Sequence, residues 1–117
     1  MTIQEIAHQL VALCRQGQFE QAQRALYAPD AVSLKPEGSS FRRVNGLSAI
    51  IDEERQFLDQ IEQLHSSTIS DPIVGATYFS VAMKMDMTLR GPGRIVVDEI
   101  CVYKVADGKI SQEQFFF

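Results

Sequence analysis

The stretch Ile95–Phe117, IVVDEICVYKVADGKISQEQFFF, decides the fold. β-branched and aromatic residues on both sides of Asp107-Gly108 predict two long strands joined by a tight hairpin turn. Ile95, Val97, Cys101, Tyr103 and Val105 share one face of the first strand, and Glu99 falls among them. Glu113 stands in the second strand, just ahead of Phe115, Phe116 and Phe117. A carboxylate on an apolar face is costly unless it is paired, hydrogen-bonded or neutralised. Both glutamates are therefore candidate site residues.

The strand before this pair is read from Thr77 to Arg90. Phe79, Val81, Met83, Met85, Met87 and Leu89 alternate with polar positions, the period of a half-buried strand. A three-residue Gly91-Pro92-Gly93 loop places Leu89 opposite Ile95 and Met85 opposite Glu99, with the two apolar faces aligned. At the last turn two registers stay open. A two-residue Asp107-Gly108 loop puts Gln112, Gln114 and Phe116 on the Glu99 face. A three-residue loop with a bulge at Gly108 brings Glu113, Phe115 and Phe117 there instead. In either register large rings lie on both sides of the sheet. Phe116 or its neighbours, with Tyr78, Ala82, Ile100 and Val102 opposite the core side, then call for a cover, and a second copy of the chain supplies one. The expected assembly is a homodimer through the convex sheet face, burying roughly 1,200–2,000 Å².

Toward the N-terminus the pattern becomes helical. Thr2-Ile3-Gln4-Glu5 is a capping box, followed by Ile3, Ile6, Ala7, Leu10, Val11 and Cys14 at helical spacing and Gly17 as the stop. His8 lies off that stripe and reads as solvated. A short second helix carries Phe19, Ala22 and Leu26 and ends by Pro29. Asp30 opens a short strand, DAVSLKP, and reads as a cap or turn anchor. Glu37–Gly46 reads as a polar loop. Leu47, Ile50, Ile51, Phe57, Leu58 and Ile61 mark a long amphipathic helix with Glu54 inside its stripe, paired with an arginine or snorkelling at the edge. From Leu64 the period becomes two, with His65, Ser67 and Ile69 on one side.

A chain of 117 residues predicts one domain, spanning 1–117. Its net charge of −4 supplies no basic stripe for nucleic acid. No apolar run approaches the roughly 20 residues of a membrane-spanning helix. MTIQEIAHQL lacks the basic and apolar regions of a signal peptide. Cys14 and Cys101 sit in separate apolar patterns, which predicts reduced core cysteines, a cytoplasmic protein and no metal site.

The order is thus helix, short helix, strand, long helix and four long strands. With YAPDAVSLKP, the GLSAI entry to the long helix and VYKVADGKISQEQFFF, the chain resembles the SnoaL-like members of the nuclear transport factor 2-like superfamily. That resemblance implies an α+β cone, with three N-terminal helices packed on a strongly curved, mainly antiparallel sheet and a pocket between them. It also implies frequent dimerisation through the convex sheet. Relatives include polyketide cyclases, ketosteroid isomerases, epoxide hydrolases and dehydratases, alongside non-catalytic binding domains. The aspartate that the epoxide hydrolases carry late in the last strand falls here at Phe115. Their Arg-x-Asp pair has no counterpart in the methionine-rich strand.

Two carboxylates in an apolar cavity raise one another's pKa and can move protons near neutrality. The expected catalytic set is Glu99, Glu113 and Tyr103, with Tyr103 as hydroxyl donor. The expected lining is Met83, Met85, Met87, Phe57, His65 and Phe115. The activity these imply is that of an acid–base lyase, isomerase or cyclase acting on a small apolar or carbonyl-containing molecule without metal or organic cofactor. The alternative is a dimeric binding module whose carboxylates anchor a ligand's polar end or bind backbone amides, Arg94 or Lys109 and hold the sheet.

Overall fold

The computed structural model describes residues 1–40 and 42–117. Helix α1 (Ile3–Arg15) begins at the expected capping box: the Glu5 amide donates to Thr2 Oγ1 at 3.1 Å and the Thr2 amide to Glu5 Oε1 at 2.9 Å. Gly17, at φ 74°, follows the helix end and turns the chain into α2 (Phe19–Leu26). Strand β1 (Tyr27–Leu34) starts where α2 stops, three residues before Asp30. Pro29 is therefore an exposed residue inside β1, near a register irregularity between Tyr27 and Val32, where a missing amide proton is tolerated. Asp30 is exposed in the same strand. The segment read as a polar loop contains a short strand, β2 (Arg43–Asn45), and includes Phe41, which lies outside the described residues. Helix α3 (Leu47–Asp59) follows Gly46, whose φ of 92° reverses the chain at the helix entry.

The remaining strands are β3 (Ile61–Ile69), β4 (Ile73–Val74), β5 (Tyr78–Leu89), β6 (Gly93–Ala106) and β7 (Lys109–Phe116). They form a curved, open sheet in the order β2-β1-β7-β6-β5-β3, with β4 added against β5. Among the described residues only β1 and β7 pair in parallel. Three helices lie against a mainly antiparallel sheet, the α+β class expected. The core fills the space between them: Ile6, Leu10, Leu26, Phe79, Met87 and Ile110 are each 2 % exposed or less.

Two registers differ from the expected ones. The β5–β6 connection is Arg90-Gly91-Pro92, so Leu89 pairs with Gly93, Met87 with Ile95 and Met83, not Met85, with Glu99. The slip is two residues, and a two-residue slip keeps every side chain on its face. At the last turn Asp107 (φ 52°) and Gly108 (φ 73°) make a two-residue turn closed by the Ala106–Lys109 pair. The bulge that brings Glu113 inward sits farther along, at Ser111: Val105 pairs with Ile110, Lys104 with Gln112, and Ser111 is the extra residue. That single insertion exchanges the two faces of β7 and sets Glu113 beside Tyr103 and Phe115 beside Cys101.

The opposite sheet face carries Tyr78, Val96, Ile100 and Phe116, each between 47 % and 55 % exposed, with Ile100 paired to Phe116. Among the described residues no helix is long and apolar enough to cross a membrane.

Candidate functional site

The concave side of the sheet and the three helices enclose a cavity of about 590 Å³. Strand β7 ends opposite Ile100, so the first half of β6 runs on without a β7 neighbour. Phe117, 65 % exposed, lines the cavity there and marks where it meets solvent. Its walls are Met83 and Met85 from β5, Phe57 and Ile50 from α3, Phe19 from α2 and Phe115 from β7.

Glu113 is the most deeply placed acid, 5 % exposed. Parallel pairing sets Ser33 of β1 next to it, and Ser33 Oγ donates to Glu113 Oε2 at 2.7 Å. The Tyr27 hydroxyl donates to the other oxygen. Behind Ser33, Lys35 Nζ donates to Ser33 Oγ at 3.1 Å, pairs with Glu53 at 2.6 Å and lies 5.7 Å from the centre of the Phe115 ring. Burial pushes the Glu113 carboxyl up, while the hydroxyls of Tyr27 and Ser33 pull it back by stabilising its ionised form. Replacing Tyr27 by Phe is expected to cost about 1–3 kcal/mol at pH 8 and clearly less near pH 4, where Glu113 carries a proton and needs the donor less. Urea unfolding at both pH values checks it, and an equal cost at both would show that the bond does not serve the carboxylate.

Glu99 and Glu54 are held far more loosely. The thiol of Cys101 approaches Glu99 Oε1 at 3.6 Å. Burial raises the Glu99 carboxyl, opposed by that thiol and reinforced by the Glu113 charge. Glu54 projects from α3 into the same cavity and, among the described residues, has no cation within ion-pair distance. Burial, then the charges of Glu113, Glu53 and Glu99, push it up to about 7. Of the two expected accounts of Glu54, pairing with an arginine is not seen among the described residues; Arg55 turns instead to Glu20 of α2 at 2.6 Å. Tyr103 lines the cavity and stacks on Phe79 with ring centres 4.8 Å apart.

A helix-backed curved sheet holding acids in an apolar cavity has a counterpart among known families: the SnoaL-like domain model matches residues 1–117. This chain belongs to the SnoaL-like domain family. Among solved structures, the SnoaL-like chain is similar to a proposed SnoaL-like polyketide cyclase from Mesorhizobium loti, at 29 % identity, full coverage of both chains and a TM-score of 0.90. It is also similar to a nuclear transport factor 2-like protein of unknown function from Burkholderia pseudomallei K96243, at 14 % identity, covering 100 % of this chain and 92 % of that one with a TM-score of 0.76. A proposed isomerase from Bacillus subtilis shares 23 % identity over 95 % of this chain and 82 % of that one, with a TM-score of 0.68. The last two likenesses are of fold. No curated protein matches the chain.

Within the SnoaL-like cavity the structure brings together Glu99, Glu113, Tyr103, Met83, Met85, Phe57 and Phe115. Met87 and His65 stand apart from it. Met87 is wholly inside the core cluster and has no surface left to line a cavity. The irregular pairing between Leu64 and Ser66 breaks the simple alternation at His65, and its Nε2 lies 2.7 Å from Thr88 Oγ1. Sequence reasoning missed Tyr27, Ser33, Lys35, Glu53 and Gln23. Ala31, Ser33 and Lys35 lie on one alternating face of the β1 segment, and a serine and a lysine on an otherwise inward face were the available signal. Among the described residues no group of three or more His, Cys, Asp or Glu side chains is placed to hold a metal ion.

Proposed function

We propose that this SnoaL-like protein binds a small apolar or carbonyl-containing molecule in the cavity and moves a proton on it by acid–base catalysis, as a lyase, isomerase or cyclase. The observation that carries the reading is the division of labour among its acids. Glu113 has both oxygens tied to hydroxyls, while Glu99 and Glu54 face open space with raised pKa values. Glu99, when ionised, takes a proton from carbon beside a carbonyl. A neutral carboxyl or the Tyr103 hydroxyl donates to the carbonyl oxygen. Glu113 sets the electrostatic level: its charge favours the protonated form of both neighbours. The methionine and phenylalanine walls exclude water and accommodate an irregular apolar body.

The test is deuterium exchange. Small ketones and aldehydes incubated in D₂O with the protein should gain deuterium beside the carbonyl faster than in buffer, read by proton NMR. If carbonyl compounds bind, as shown by shifts of the Met83 and Met85 methyl resonances, and none exchanges faster, the catalytic reading fails and a binding module remains.

The exposed Tyr78, Val96, Ile100 and Phe116 face supports a homodimer through the convex sheet. Light scattering should give a dimer mass at micromolar concentration, and Ile100→Asp should halve it, because the charge falls in the centre of the patch. A monomeric parent protein would remove the proposal. Two buried, unpaired cysteines suit the reducing cytoplasm in which we place the protein.

A further inference from the structure

We infer that the molecule taken by this cavity carries a protonated amine beside its apolar body. The inference rests on the proposed reading of the cavity as a ligand site and names the class of ligand. Its basis is a mismatch of charge. Glu53 and Glu54 of α3, Glu99 of β6 and Glu113 of β7 line the cavity, and Lys35 is the one cation among its described lining residues. Lys35 is already paired with Glu53 and bonded to Ser33. Glu113 has its two hydroxyl donors. Glu54 and Glu99 remain, half-buried and without a cation among the described residues.

A second, independent observation points the same way. Gln23 of α2 lines the same cavity, is only 7 % exposed, and its Oε1 has no hydrogen-bond donor. A buried acceptor without a donor is costly and wants an explanation. An ammonium group answers both observations: its charge offsets the two free carboxylates and its N–H groups donate to oxygen. A quaternary ammonium answers only the first, and an anion aggravates both. The rings of Phe57 and Phe115 along the wall are compatible with a cation.

Glu54 faces the charges of Glu113, Glu53, Glu99 and Lys35, with the thiol of Cys14 from α1 also within its field. The hydroxyls of Tyr27 and Tyr103 are held neutral well above the neutral range by burial. Glu54, pushed up to about 7, is thus a cavity group that changes charge across pH 5.5–8, while an alkyl amine stays protonated as lysine does. Affinity for an amine must rise over that interval and affinity for an uncharged analogue must not.

Calorimetric titration with cyclohexylmethylamine, cyclohexylmethanol and cyclohexanecarboxylate at pH 5.5 and pH 8 tests this, since the three share one apolar body. At pH 8 the amine should bind at least about tenfold more tightly than the alcohol, as expected of a charge-assisted hydrogen bond. That advantage should shrink at pH 5.5 and in Glu54→Gln and Glu99→Gln, with the amine losing more affinity than the alcohol in both variants. An alcohol or carboxylate that binds as well as the amine at pH 8 overturns the inference and leaves the cavity a ligand site. Failure of all three to bind, with the Met83 and Met85 methyl resonances unmoved, overturns the inference and the ligand-site reading together.

Discussion

Glu99→Gln should lower any proton-transfer turnover in this cavity by about 10²–10⁴-fold, the usual worth of a positioned general base. Glutamine keeps the shape and the polar edge of the side chain but takes up no proton near neutrality. Because Glu99 accepts only a distant Cys101 thiol among the described residues, little in the fold depends on its charge, and the variant should remain folded. The loss should appear in kcat with binding of the apolar body retained, since the proton moves only in the transition state. The pH profile gives a second readout. Turnover by the unaltered protein should rise with pH through a value above the ordinary glutamate range, because burial raises Glu99, and the variant's residual rate should lose that limb. Deuterium exchange followed over time for both proteins measures all of this. Equal exchange rates for the two would remove Glu99 from the mechanism.

Glu54→Gln should stabilise the protein at pH 8 by on the order of 3 kcal/mol and leave it unchanged near pH 4. Glu54 is raised from 4.5 to about 7 in the folded chain. Below pH 4 both the folded and the unfolded chain hold the proton, and the group is neutral to stability. Between about pH 4.5 and 7 the unfolded chain releases the proton while the folded chain keeps it. Stability therefore falls as pH rises through that window, by about 1.4 kcal/mol for each unit of displacement. Glutamine has no proton to release, so the variant escapes the loss. Urea unfolding of both proteins without ligand at pH 4, 6 and 8 should show curves that coincide in acid and separate toward base. A variant less stable than its parent at pH 8 would mean that Glu54 is held as an ion by a partner, and would end its assignment as an unpaired cavity acid.

Several features of this molecule could be read from the chain before any coordinates. Thr2 and Glu5 predicted a helix start because the capping bonds are local, three residues apart. Alternation from Phe79 to Leu89 and from Ile95 to Val105 assigned the faces of two strands and, with them, the inward position of Glu99. Burial demands that face of every residue along a strand, so the signal is repeated many times over. Asp107-Gly108 announced a tight turn because few other residues tolerate two successive positive φ values, while its length stayed open between two and three residues. The motifs around these elements pointed to the family.

Other features had no such redundancy. Sliding β6 by two residues along β5 preserves all faces, so periodicity is blind to it. What decided between Met83 and Met85 as the neighbour of Glu99 was whether Arg90 or Gly93 belongs to the loop. The inward turn of Glu113 depends on one extra residue at Ser111, and both open registers kept large rings on each side of β7. Tyr27 and Ser33 stand 86 and 80 residues from Glu113 in sequence and reach it only because β1 pairs in parallel with β7. Local sequence carries no term for that pairing. Met87 and His65 fit the alternation as well as Met83 did, but complete burial removed the first and a pairing irregularity displaced the second. The sequence by itself determined the long elements, their inward faces and the presence of unexplained acids, because those follow from local bonding and repeated burial. Register, the Ser111 bulge and the hydroxyls that answer Glu113 were decided by the tertiary structure, because each depends on contacts between segments distant in the chain.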